Sequence, residues 1–181
     1  MKKLLLVITF ALGFNNIQAQ QTAENGARQN DIMISPIELI AAPSLNVSYE
    51  RLLNENSGVG VNGFFYLGNS ESYRFSQISP YYRMYFGKKY ASGFFVEGFV
   101  PIHMMKDHTY NYITGPYPKS SEVTNTSVGF GVGFGGKWVA KRNVLFEASA
   151  GIARKFNTLD TGNYQESPIT GKGMLGIGYR F

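Results

Sequence analysis
Between Ser127 and Val139 the chain alternates with a period of two. Val128, Phe130, Val132, Phe134 and Trp138 fall on one face, and Ser127, Gly129, Gly131, Gly133, Gly135 and Lys137 fall on the other. Successive side chains of an extended backbone point to opposite sides, whereas a helix repeats every 3.6 residues. A run of this length with two such unlike faces therefore reads as a strand. Asn143–Lys155 repeats the pattern, with Val144, Phe146, Ala148, Ala150 and Ile152 set against Glu147, Ser149, Gly151 and Lys155. Gly171–Phe181 does so again, with Leu175, Ile177, Tyr179 and Phe181 against Lys172, Met174, Gly176, Gly178 and Arg180.

Five looser segments extend the series: Ile32–Ile40, Ser44–Leu52, Gly58–Leu67, Gln77–Phe86 and Gly93–Met104. The first is the weakest, because Pro36 lies inside it, which implies either a bulge or a misplaced strand. Pro80 and Pro101 are expected near the outer rim, where ladder bonds can be lost. Asn54–Ser57, Gly87–Ala91 and Ala140–Asn143 read as tight turns. Gly68–Phe75, Lys106–Val123 and Asn157–Thr170 read as longer polar loops. Only Ala41–Pro43 is short where a long connection is due. Eight strands joined by short turns at one end and long loops at the other describe an all-β, antiparallel, up-and-down transmembrane barrel.

Composition supports lipid as the outer solvent. Charged residues make up 16% of the 181, well under the roughly 25% usual in soluble domains. Aromatics reach 15%, and there are 21 glycines. A soluble barrel would turn its apolar face inward and carry dense charge outside, but the faces opposite the apolar ones hold Gly, Ser, Asn and isolated charges. Beyond the first residues no run approaches the roughly 18 apolar residues of a spanning helix. Cys is absent, which excludes disulfides, thiolate metal sites and a thiol nucleophile.

At the N-terminus Lys2 and Lys3 precede an apolar run, Leu4–Phe14, and the small Ala19. This reads as a secretory signal peptide over 1–19, cleaved after Ala19 and followed by a short periplasmic segment over 20–30 and the barrel over 31–181. The cut would remove two of the 17 basic residues, so part of the formal charge of +5 belongs to the signal. With no basic cluster interleaved with aromatics, nucleic acid is not an expected partner.

The faces assign roles. Tyr49, Phe86, Phe94, Trp138, Phe146 and Tyr179 sit outward near the short turns, as an aromatic girdle at headgroup level requires. Glu50, Arg83, Glu97, Lys137, Glu147 and Arg180 point inward, three acids and three bases. Buried charges need partners, so a lumenal ion-pair belt without net charge is expected. Phe64, Tyr66, Tyr81, Tyr85, Phe95 and Phe99 also point inward and face the glycines of the sixth and eighth strands. Eight strands leave an interior that side chains can fill, so no wide aqueous pore is expected.

The alternating residues Leu175, Ile177, Tyr179 and Phe181 resemble the C-terminal assembly signal of outer-membrane barrels. The mature chain resembles the class of small eight-stranded barrels that includes the OmpA membrane domain and OmpX, in pattern rather than in residue-by-residue motif. The resemblance implies a monomer in outer-membrane lipid, recognition of Phe181 and its neighbours by the barrel-assembly machinery, and a structural or surface role. No wall-binding domain is expected after the barrel.

Three functional readings follow. The first is a non-enzymatic barrel without cofactor or metal that acts through surface loops. Tyr110, Tyr112 and Tyr117, beside Pro116 and Pro118, make the loop Lys106–Val123 the candidate contact surface. The second is a narrow channel for small or apolar solutes. The third is a lipid-modifying enzyme, but a Ser–His–acid site would have to use His103 or His108, and no Gly-x-Ser-x-Gly is present.

Overall fold
The computed structural model describes residues 28–68, 74–111, 119–156 and 167–181. Strand β1 (Asn30–Ile34) is followed by helix α1 (Pro36–Ala41), then β2 (Ser44–Asn54), β3 (Ser57–Tyr66), β4 (Arg74–Tyr85), β5 (Gly93–Phe99), β6 (Ile102–Asn111), β7 (Lys119–Val139), a single 3-10 turn (Lys141–Asn143), β8 (Val144–Lys155) and β9 (Ile169–Arg180). Neighbouring strands are antiparallel, and β9 pairs back to β1, which closes the sheet.

The nine strands form eight staves. β5 and β6 lie end to end between β4 and β7, and each pairs with both. The break falls at Pro101, which has no N–H to give the ladder. Carbonyls still hold the wall there: Val100 N donates to Pro80 O and Gly129 N to Pro101 O, both at 3.0 Å. Both prolines thus lie within the wall, not at its rim. Pro80 sits in continuous β4 opposite Val61.

Alternation divides the strands into two surfaces. Phe130, Val132, Phe134 and Trp138 of β7 are exposed, Phe134 at 62%, while Lys137 is 0% exposed. Exposed apolar side chains surround the barrel, a surface far larger than water tolerates and suited to lipid. Inside, large residues lie over small ones. Phe99 faces Gly131 and Phe95 faces Gly135 across the β5–β7 pair. A Cβ on Gly131 would meet the Phe99 ring, the Ala153 methyl and the Ile152 carbonyl.

The short-turn end is stoppered. Leu52, Tyr85, Ala91 and Phe95 form a buried cluster with Tyr90 packed against it. Ala91 holds φ of 39°, an uncommon conformation for a residue with a Cβ. It is fixed from both sides, since its N–H donates to Glu55 O and its carbonyl accepts from Arg180.

Two expected elements differ. The first strand stops at Ile34, and Pro36 opens α1 rather than bulging a strand. Proline fits the first helical turn because its N–H is not required there and its φ is preset. Ile37 and Leu39 are therefore on a helix. Inside β1 the inward residues are Asp31, Met33 and, just beyond, Ser35. The expected loop Lys106–Val123 is largely a hairpin, paired from Ile102–Val128 out to Asn111–Lys119.

Candidate functional site
The inward charges meet in one network. Arg83 is its hub: Nε donates to Glu97 at 2.7 Å, Nη1 to Glu50 at 3.1 Å, and Nη1 and Nη2 each to a separate oxygen of Glu147 at 2.7 Å. The guanidinium lies between two rings, 4.4 Å from the Tyr81 centroid and 4.1 Å from that of Phe95. Lys137 bonds Glu50 at 2.5 Å and Asp31 at 3.1 Å. Arg180 grips Asp31 through Nε at 2.7 Å and Nη2 at 2.9 Å, and also donates to the carbonyls of Tyr90 and Ala91. Tyr85 donates its hydroxyl to Glu50 Oε1 at 2.7 Å.

All six residues of the expected belt, Glu50, Arg83, Glu97, Lys137, Glu147 and Arg180, are in this buried network. Two further members escaped sequence reasoning. Asp31 joins Lys137 to Arg180, and Lys172 bonds Glu97 at 2.6 Å with its ammonium 4.0 Å from the Tyr81 centroid. Asp31 alternates in phase with Met33, which was the available signal. Among the described residues the network holds four acids, Asp31, Glu50, Glu97 and Glu147, and four bases, Arg83, Lys137, Lys172 and Arg180, and these charges cancel. Cancellation matters here because an unpaired ion in such a setting costs several kcal/mol.

The filling is uneven along the axis. Toward the long connections the lumen is lined by carboxamides. Asn62 Nδ2 donates to Asn46 Oδ1 at 2.7 Å, Asn46 Nδ2 to Gly173 O at 2.8 Å, and Gln77 Nε2 to Gly171 O at 3.2 Å. A cavity of about 360 Å³ opens there, walled by these side chains, Phe64, Phe75 and Glu38.

Outside, Tyr49, Phe86, Phe94, Trp138, Phe146 and Tyr179 are all exposed. Register puts several of them side by side. Ile32 lies opposite both Tyr49 and Tyr179, Trp138 lies opposite Phe146, and the Phe86 and Phe94 rings are 6.0 Å apart. The two tyrosine hydroxyls turn to polar partners near the chain ends: Tyr49 donates to Asn30 and Tyr179 accepts from Arg28, both at 2.8 Å. Leu175, Ile177 and Tyr179 are exposed on the outward face of β9, and Phe181 just beyond it is exposed too.

Of the candidate contact residues, Tyr110 falls in β6 opposite Ser120. Its side chain, and Tyr112 and Tyr117 altogether, lie outside the described residues, as do the signal segment and the His108 side chain. His103 is buried against the Phe75 ring at 4.6 Å. Its cross-strand neighbour is Ser127, whose hydroxyl has no hydrogen-bond partner, so these two form no Ser–His couple.

No protein-family profile matches the chain, and no curated protein matches it in sequence. Among solved structures, the N-terminal β-barrel domain of Pseudomonas aeruginosa OprF is similar, with a TM-score of 0.53 at 13% identity over 87% of this chain and 100% of that one. Neisserial surface protein A (NspA) gives a TM-score of 0.45 at 14% identity over 84% of this chain and 95% of that one. The likeness to the OprF domain is one of fold, a closed antiparallel β-barrel of eight staves.

Proposed function
We propose that the chain is a non-enzymatic outer-membrane barrel with an occluded lumen, whose role is structural or lies in contacts made by its long connections at the cell surface. The observation that carries this reading is the ionic network. Arg83, Lys137 and their carboxylates come from strands on different sides of the ring and fill the lumen with directly bonded groups, above the Leu52–Phe95 stopper. A hydrated solute crossing this level would have to separate several charge pairs in a low dielectric. The exposed apolar belt and its tyrosines, whose hydroxyls face polar partners, support residence in a bilayer. The exposed outward residues Leu175, Ile177, Tyr179 and Phe181 support recognition by the barrel-assembly machinery.

Swelling of liposomes loaded with the purified chain tests the occluded lumen. Sugars of monosaccharide size should not enter faster than in protein-free liposomes, and sugar flux would replace this reading with a channel. Deleting Thr109–Ser120 tests the surface role, and unchanged attachment of cells would remove that hairpin from it. Lipid A mass spectra from a deletion strain should match those of the parent, and a changed acylation pattern would overturn the non-enzymatic reading.

A further inference from the structure
Above the ionic network the wall is incomplete on one side. β1 ends at Ile34, so the stretch Gly171–Leu175 of β9 has a strand neighbour, β8, on one side only. Helix α1 stands in the gap and packs against both β2 and β9. Side chains take over the carbonyls that β9 turns to the seam. Leu175 O accepts from Ser35 Oγ at 3.1 Å, Gly173 O from Asn46 at 2.8 Å, and Gly171 O from Gln77 at 3.2 Å.

The cavity reaches this seam. Gly171 and Gly173, which belong to the outward phase of β9, line it beside Glu38 of α1. A Cβ at either glycine would come no closer than 3.4 Å to a neighbouring atom, so the seam is not sealed by close packing there. Ile37 and Ile40 of α1 are exposed apolar side chains, Ile40 at 86%. On the cavity wall Glu38 Oε2 is buried and has no hydrogen-bond partner. Lys172 also lines the cavity, but its ammonium is turned to Glu97 and the Tyr81 ring.

We propose that this cavity is a binding site for a primary alkylammonium group, which donates to Glu38 Oε2 while its alkyl chain leaves through the β9–α1 seam into the surrounding lipid. An ammonium meets the unpartnered Glu38 Oε2 on the cavity wall, the rings of Phe64 and Phe75 suit a cation and its first methylenes, and the seam suits a chain too long for the cavity. The same group can arrive as the head of an aminolipid or as a soluble amine. The site is separate from the β6–β7 hairpin and requires only the barrel in a bilayer.

The test is amide and carboxamide NMR of the full chain in phosphatidylcholine nanodiscs, a lipid with no primary amine, titrated with octylammonium, ethylammonium and octanol. Octylammonium should give saturable shifts at Gly171, Gly173 and the Asn46 carboxamide, and octanol should not. Glu38→Gln should weaken octylammonium about tenfold, a loss of about 1.4 kcal/mol. Gly173→Leu, which lays a side chain over the seam, should weaken octylammonium and leave ethylammonium unchanged. Nanodiscs containing phosphatidylethanolamine that shift the same resonances identify a lipid source, and ethylammonium binding as tightly as octylammonium identifies a soluble one and overturns the lateral exit. Octanol equal to octylammonium, or Glu38→Gln without effect, overturns the ammonium site. The three-ligand comparison on the unaltered chain decides this even where a variant fails to assemble.

Discussion
Arg83 and Glu147 meet side-on across the lumen, with two parallel N–H···O bonds of 2.7 Å joining β4 to β8, strands that are not neighbours in the ring. A bidentate pair fixes orientation as well as distance. It acts as a crossbeam between opposite walls, and the other arms of Arg83 tie in Glu50 and Glu97.

Replacing the hub should therefore be costly. Arg83→Met leaves three buried carboxylates short of a partner, and breaking a buried pair from one side costs about 3–5 kcal/mol. The urea midpoint of the barrel in lipid vesicles should fall accordingly. Arg83→Lys restores the charge without the fork and should recover only part of the loss.

Asp31→Asn probes the closing seam. Arg180 keeps the Tyr90 and Ala91 carbonyls and Lys137 keeps Glu50, so the cost should be smaller, about 1.5–3 kcal/mol for lost charged hydrogen bonds. Hydrogen exchange should quicken at Met33 and Ile177 relative to β7 and β8. Equal quickening everywhere would show that the pair does not act on the seam.

The match of glycine to ring predicts a coupled pair. Gly131→Val drives methyl groups into the Phe99 ring and the Ile152 carbonyl, and overpacking of this kind costs about 1–3 kcal/mol. Adding Phe99→Leu should return part of it. A double-mutant cycle with no coupling energy would mean the two residues do not share that space.

On the bilayer reading proposed above, Phe134→Arg places a cation on the lipid-facing side of β7, where the cost is about 2–4 kcal/mol at the midplane. Gly133→Ser, one residue away but inward, meets Glu97 and should cost less. The reverse order in vesicle unfolding would invert the assignment of faces.

How far the sequence was legible follows from what each signal depends on. Val128–Trp138 shows its strand because alternation is local, and a one-residue slip would move every side chain to the wrong surface. α1 was hidden because Ile37 and Leu39 also satisfy a period of two, and six residues are too few to display a helical one. Alternation puts Lys172 on the inward face but does not by itself put it in the network. It stands roughly 27 Å of extended chain from Arg180, yet strand tilt and shear bring its level toward that of Glu97. The cavity depends on which side chains meet across the lumen, and no single segment records that.

The closure of β9 onto β1 has a consequence for the order of events in folding. Every other joint in the wall is between staves consecutive in the chain, with β5 and β6 counted as one stave, and each can form as soon as its two halves exist. The last joint spans nearly the whole described chain and has only four register pairs, Asp31–Arg180 to Ile34–Ile177, together with reciprocal bonds between Asn30 and Phe181. Until it forms, the sheet has two raw edges that any other strand could join. Those edges carry opposite charges, Asp31 on one and Arg180 on the other. In a medium that screens little, their attraction reaches farther than a backbone hydrogen bond and favours one partner and one register for the final step.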